Sequence, residues 1–153
     1  MILLSKLTDY GVTLMTRLAQ RREEGCLSAR DLAESAGLPL PTVSKLLKIL
    51  AREGLLESQR GIKGGYRLAR APREIGLSDI LLALEGPVSL TACGNCELDA
   101  DCSMQPHWSW INQRVLQSLE DITLADLSGS TLLNLAAERG RETPSPAPEA
   151  GKS

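Results

Sequence analysis

The tightest constraint in this 153-residue chain is a spacing: Ala33, Gly37 four residues on, Val43 six further, and Leu46 three further. Two short helices crossing at close range need a small residue at the crossing and a glycine able to take positive φ in the turn. They also need apolar residues facing back from the second helix. These four positions meet the requirements in order. Ser28 stands three residues before Asp31, the S-x-x-D form of a capping box, and predicts where the first of the two helices begins. Gly37 predicts its end. Pro41 suits the first position of the second helix, where a missing N–H is harmless, and Val43, Leu46, Leu47 and Leu50 form an inner face running to about Arg52. Any helical hairpin with a glycine turn shares this spacing, so the residues that follow decide between the readings.

Leu55-Leu56-Glu57-Ser58 and Tyr66-Arg67-Leu68 are strand-like and enclose the basic, glycine-rich Arg60-Gly61-Ile62-Lys63-Gly64-Gly65. That pattern is a β-hairpin, and a hairpin directly after a helix-turn-helix is the wing of a winged helix. Upstream, Leu7, Tyr10, Gly11, Leu14 and Leu18 recur at helical spacing and predict a first helix over roughly 5–20. The expected fold is therefore mainly α: a winged helix-turn-helix with a two-stranded β wing.

Charge agrees with a nucleic-acid partner. The net charge is −2, but residues 1–80 hold 13 Lys/Arg against 9 Asp/Glu (+4), whereas 81–153 hold 4 against 10 (−6). A basic half inside an acidic chain points to a local anionic ligand. Double-stranded DNA is the expected partner, with Pro41, Thr42, Ser44 and Lys45 at the groove-facing start of the second helix and Lys48 nearer phosphate. Ser28 and the first amides of the preceding helix are expected to hold phosphate, and Arg60, Lys63 and Arg67 of the wing to reach the DNA backbone or the adjacent minor groove. The longest apolar run is five residues, too short for a membrane span, and Met1-Ile-Leu-Leu-Ser-Lys is too short for a signal peptide. A cytoplasmic protein with no membrane partner is expected.

Beyond the wing, Ser78 could cap a helix ending at Gly86-Pro87, apolar enough at Ile80, Leu81, Leu82 and Leu84 to be buried. From about His107, the residues Trp108, Ile111, Val115, Leu119 and Ile122 follow a spacing of three and four, close to a coiled-coil seam. A seam needs a partner, and twofold DNA sites favour twofold proteins, so a long dimerisation helix and a homodimer are expected. Thr131–Ala136 suggests a last short helix. The expected division is 1–76 for DNA binding, 77–139 for a cysteine loop with dimerisation helices, and 140–153, rich in proline, as a disordered tail.

The cysteine loop is Cys93-x2-Cys96-x5-Cys102, three thiolates within ten residues, followed after five more by His107, the sole histidine. In a reducing compartment such a cluster reads as metal chemistry, and the soft donor set suits an iron–sulfur cluster and a Cys3His zinc site equally. A small electron-transfer protein would also use such a cluster, though it would have no need of residues 28–68. A catalytic Cys–His pair lacks any partner to orient the base or hold an oxyanion. Cys26, alone before the helix-turn-helix, reads as a packing thiol.

With wing and cysteines together, the chain resembles the Rrf-type winged-helix regulators, most closely the branch that regulates SUF-system iron–sulfur cluster assembly. The resemblance covers about residues 1–130. Its carriers are Ser5-Lys-Leu-Thr-Asp-Tyr, Leu38-Pro-Leu-Pro-Thr-Val-Ser-Lys, Arg60-Gly-Ile-Lys-Gly-Gly-Tyr-Arg-Leu and Asp121-Ile-Thr-Leu-Ala-Asp-Leu. It implies a homodimeric DNA-binding repressor or activator, not an enzyme. It also implies an iron–sulfur cluster, 2Fe–2S or 4Fe–4S, on Cys93, Cys96 and Cys102 that reports iron–sulfur, oxygen or nitric-oxide status. His107 is the fourth ligand by its likeness to the histidine of the cluster-regulator branch, although that histidine follows the third cysteine by three residues rather than five. Asp9, which matches the aspartate of the nitric-oxide-sensing branch, is the alternative, reaching the cluster of a partner subunit. A zinc-stabilised winged-helix factor without sensing is the competing reading.

Overall fold

The computed structural model describes residues 4–90 and 103–129. Cys93, Cys96, Cys102, the suggested helix at Thr131–Ala136 and the tail 140–153 lie outside the described residues.

The first helix, α1 (Lys6–Gln20), starts at Ser5, whose hydroxyl accepts from the Thr8 N–H. Its start is also held from outside. The Glu85 carboxylate accepts from the Ser5 N–H at 3.0 Å and from the Thr8 hydroxyl, so a carboxylate sits where the helix dipole is positive. Leu14, Met15 and Leu18 form the buried face of α1, with Thr8 and Gly11 buried beside them. Leu7, expected on that face, is 39% exposed. Gly11 sits where α4 (Leu77–Glu85) comes closest: a Cβ there would meet Leu84 Cδ1 at 2.2 Å.

The helix-turn-helix follows as the spacing requires. The second helix, α2 (Ala29–Ala36), has its reciprocal Ser28–Asp31 capping box and ends at Gly37, in the left-handed region at φ 66°. The third, α3 (Leu40–Arg52), begins one residue earlier than expected, with Pro39 as its cap; Pro41 remains in the first turn, where no intrahelical N–H is needed. Val43, Leu46, Leu47 and Leu50 are each 1% exposed or less, and Ala33 is 6% exposed at the crossing.

The wing is an antiparallel pair, β1 (Leu56–Gln59) and β2 (Gly65–Leu68), in register from Leu56↔Leu68 to Gln59↔Gly65. Leu27 extends it on the far side of β2 by exchanging both backbone bonds with Tyr66, at 2.9 and 2.8 Å. The close approach needs glycine. At Gly65, φ is 147° and a Cβ would lie 2.3 Å from the Leu27 carbonyl oxygen.

After a one-turn 3-10 helix at Pro72–Glu74, α4 is capped not by Ser78 but one turn-start earlier, at Gly76, whose N–H is bound by the Asp79 carboxylate at 3.0 Å. Ile80 and Leu81 are buried, whereas Leu82 is 56% exposed, because α1, α3 and α5 (Gln105–Glu120) cover only part of this short helix. A second backbone exchange, Leu77 N–H to Ile122 and Leu124 N–H to Ile75, both 2.8 Å, ties the end of α5 to the start of α4. It leads into α6 (Leu124–Ser128), capped by a Thr123–Asp126 box and packed on α1. Leu124 and Ile75 are fully buried in the same core as Leu14 and Leu50, so one core spans residues on both sides of position 76.

Two outcomes are expected. Gly65→Ala forces a side chain into the Leu27 backbone at a positive φ and should lower unfolding free energy by about 2 kcal/mol or more in urea titrations. The carboxyls of Asp31, Glu85 and Asp126 are each held below the ordinary range, by hydrogen bonds from Ser28, from Ser5 and Thr8, and from Thr123 respectively. Such groups stabilise the fold above about pH 4 and lose that contribution as pH falls through their depressed values. Glu85→Gln should therefore destabilise at pH 7 and flatten the acid limb of a plot of melting temperature against pH.

Candidate nucleic-acid interface and metal ligands

Because one face of α3 is wholly buried, the 3.6-residue period sends the opposite face to solvent. Pro41, Ser44, Lys45, Lys48, Ile49 and Arg52 line a shallow groove of about 540 Å³ along that face. Lys45, Lys48 and Arg52 follow one another at three and four residues, forming a basic stripe. Arg52 has only a 3.4 Å contact with its neighbour Glu53, and neither lysine takes part in an ion pair among the described residues. Thr42 and Ser44 are half-buried at the first turn.

The wing and the start of α2 form the other wall. Arg60 and Lys63 are exposed and unpaired among the described residues, whereas the Arg67 guanidinium is bound to Glu57 across the strand pair at 2.7 and 2.8 Å. Ser28 is also engaged: its hydroxyl donates to the Asp31 carboxylate at 2.6 Å and its N–H lies 3.3 Å from the same oxygen. Two expected phosphate ligands thus already have carboxylate partners, which an incoming phosphate has to replace. Cys26 lies in the cleft between wing and α2, its thiol donating to the Gln59 side-chain oxygen at 3.3 Å.

Of the expected metal ligands, His107 and Asp9 are described. His107 is exposed in the first turn of α5, with Nδ1 3.2 Å from the Ser103 carbonyl oxygen. A tautomer donating there leaves Nε2 as a free lone pair, the usual arrangement of a ligating imidazole. Asp9 is exposed in the first turn of α1 and its carboxylate has no partner among the described residues. No group of three or more His, Cys, Asp or Glu residues converges on a metal-sized site among the described residues. Soft thiolates with an imidazole or carboxylate are a fitting donor set for iron–sulfur or zinc.

The approach to the cysteine loop is fixed by Asn112, half-buried on α5. Its oxygen accepts from the Leu90 N–H at 3.1 Å and its nitrogen donates to the Val88 carbonyl at 3.4 Å. Along α5, Trp108, Ile111 and Leu119 are half-buried and Val115 is exposed, but Ile122 lies beyond the helix in the backbone exchange with Leu77. None of the 16 residues of α5 is fully buried. Trp110, off the expected seam, is 63% exposed, with the Arg114 guanidinium 6.0 Å from its ring centre.

A family model described as "Iron-dependent Transcriptional regulator" matches residues 4–130, the span that holds the helix-turn-helix, the wing and the long distal helix. The chain belongs to the Rrf2 family. Members of the family are DNA-binding transcriptional regulators, not enzymes. Among relatives, slr0846 of Synechocystis sp. is 36% identical over 122 residues, 78% of this chain and 83% of that one. The structure of CymR, the global cysteine regulator of B. subtilis, superimposes with a TM-score of 0.69 at 33% identity, covering 84% of this chain and 97% of that one. T. potens IscR gives 0.64 at 32% identity, with 94% of each chain covered. No helix among the described residues is long and apolar enough to cross a membrane.

Arg52, Trp110 and Asn112 escaped the sequence reading. Arg52 was legible, since it continues the Lys45–Lys48 stripe by one turn. A lone asparagine carries no signal of the backbone it clamps.

Proposed function

We propose that the chain acts as a homodimeric, sequence-specific repressor of SUF-type iron–sulfur cluster assembly genes, with Cys93, Cys96 and Cys102 as its sensing ligands. The observation that carries the DNA half is the basic stripe on the outer face of α3, whose Lys45 and Lys48, like Arg60 and Lys63 of the wing, have no ion-pair partner among the described residues. Residues 1–76 meet DNA. In this reading α3 enters the major groove with its N-terminus leading, Pro41 sets its approach, Thr42, Ser44 and Lys45 read base edges, and Lys48 binds phosphate. Arg60 and Lys63 reach the backbone or the adjoining minor groove, and Arg67 and Ser28 add phosphate contacts once Glu57 and Asp31 yield.

Residues 77–139 supply sensing and dimerisation. A helix of 16 residues with none fully buried, bearing an exposed tryptophan, supports a second copy packed along α5 at Trp108, Ile111, Val115 and Leu119. The iron half draws support from the family description and from the soft donors. When bound, an iron–sulfur cluster supplies a charge and an occupancy that change with redox conditions. The chain's own part is mechanical: Asn112 anchors the segment entering the thiolate loop, His107 or Asp9 offers a fourth donor, and Glu85 joins the end of α4 to the start of α1. The loop thereby stands between the helix that braces the winged helix and the helix that faces the partner, where its order bears on the spacing of the two α3 helices.

Lys48→Ala should weaken binding to selected and random duplexes alike and make the log-affinity against log-salt slope shallower by about one. Thr42→Ala and Lys45→Ala should instead reduce discrimination between the selected site and its single-base variants. Equal losses on both duplexes for all three would overturn the base-reading roles.

Anaerobically purified protein should be coloured and contain iron and sulfide, and Cys102→Ser should bleach it. A colourless protein with one zinc per chain would leave DNA binding in place and remove the sensing role.

A further inference from the structure

We infer that Ile62, at the tip of the wing, makes an apolar minor-groove contact: with α3 in the major groove, its side chain packs against the sugar walls of the neighbouring minor groove, between Arg60 and Lys63. The inference rests on the DNA-binding reading and adds to it a contact that is not electrostatic.

Ile62 is 108% exposed, whereas the other exposed large apolar residues among those described range from 38% to 63%. A value above full exposure means that the side chain stands clear of its own protein. The turn does not ask for it. The Gly64 N–H bonds the Gly61 carbonyl at 3.0 Å, which puts Ile62 and Lys63 at the two central positions of a tight turn. Such positions select residues with a φ preference or a local hydrogen bond, and a β-branched apolar side chain supplies neither. The wing is held elsewhere, by the β1–β2 ladder and the Leu27–Tyr66 exchange. Nothing in folding accounts for an isoleucine at this tip.

A single exposed apolar residue is ordinary; the company it keeps is what selects the occupant. Gly61, Gly64 and Gly65 leave the tip almost bare, so its side chains are one apolar group between two cations without ion-pair partners among the described residues. A slender tip suits a groove only about 6 Å wide. Cations on either side of an apolar group complement a surface of phosphates flanking apolar sugars, and the nearest strand carboxylate, Glu57, is already bound to Arg67. Apolar side chains, isoleucine among them, are carried into the minor groove by other proteins, there as wedges between base steps.

The test is equilibrium binding of the full chain, over a range of salt, to a duplex selected from a random pool, for wild type, Ile62→Ser, Ile62→Val and Arg60→Ala. Ile62→Ser should bind about tenfold more weakly with an unchanged salt slope, since apolar area and no charge is lost, and Ile62→Val should stay within about twofold of wild type. Arg60→Ala should make the slope shallower by about one. Replacing A·T by G·C pairs where the wing lies adds an amino group to the minor-groove floor, and should weaken wild type more than Ile62→Ser. Thermal unfolding should not differ between wild type and the Ile62 variants. Ile62→Ser binding within twofold of wild type, or a flanking change that costs both proteins equally, overturns the inference while leaving the DNA-binding reading intact. A wild-type chain that enriches no duplex overturns both.

Discussion

The burial of one face of α3 is the constraint on which the rest of the molecule depends. Val43, Leu46, Leu47 and Leu50 are packed against α1, α2, α4 and the start of the wing, and each such side chain contributes about 2 kcal/mol when removed from water. With a period of 3.6 residues, that face cannot be buried without turning Ser44, Lys45, Lys48 and Arg52 outward together. The recognition surface is thus the reverse side of the core. A rotation of α3 large enough to hide the basic stripe would expose four apolar side chains, a loss comparable with the total stability of a small domain.

Backbone pairing extends this rigidity to the parts that meet ligands. Leu27 and Tyr66 exchange bonds, which ties the wing to the segment that leads into α2. Ile75, Leu77, Ile122 and Leu124 do the same at the opposite end, joining the end of α5 to the start of α4. Together with the Glu85 carboxylate on the start of α1 and the Asn112 amide on residues 88–90, these contacts run from the approach to the cysteine loop to the helix-turn-helix. Each is a polar contact added to the packing of the core.

Legibility followed the range of the interaction. Capping boxes and the glycine turn act within four residues, so Ser28–Asp31 and Gly37 were plain in the sequence; Thr123–Asp126 has the same form and the same local cause, though only the Ser28 box was read. Where a neighbour competes, local reading failed. Ser78 was a sound cap by type, but the Asp79 carboxylate takes Gly76 as its partner and shifts the start of α4. Period places Leu7 inside and the apolar character of its helix places Leu82 there, yet the first is 39% and the second 56% exposed. Ile122 continued the α5 seam arithmetically, while the backbone exchange with Leu77 draws it out of the helix.

The sequence by itself determined the helix-turn-helix, the hairpin, the basic character of the front half and the presence of three thiols within ten residues, because each depends on spacing and residue type along a short stretch. Only the tertiary structure decided which polar groups have a partner. Arg67 looks as free as Arg60 and Lys63 in the sequence, and differs from them only through Glu57 on the facing strand. Likewise Ile62 reads as one more apolar residue until the fold leaves it fully exposed. Pairing and exposure are properties of what stands opposite a side chain in space, and chain order alone does not fix what that is.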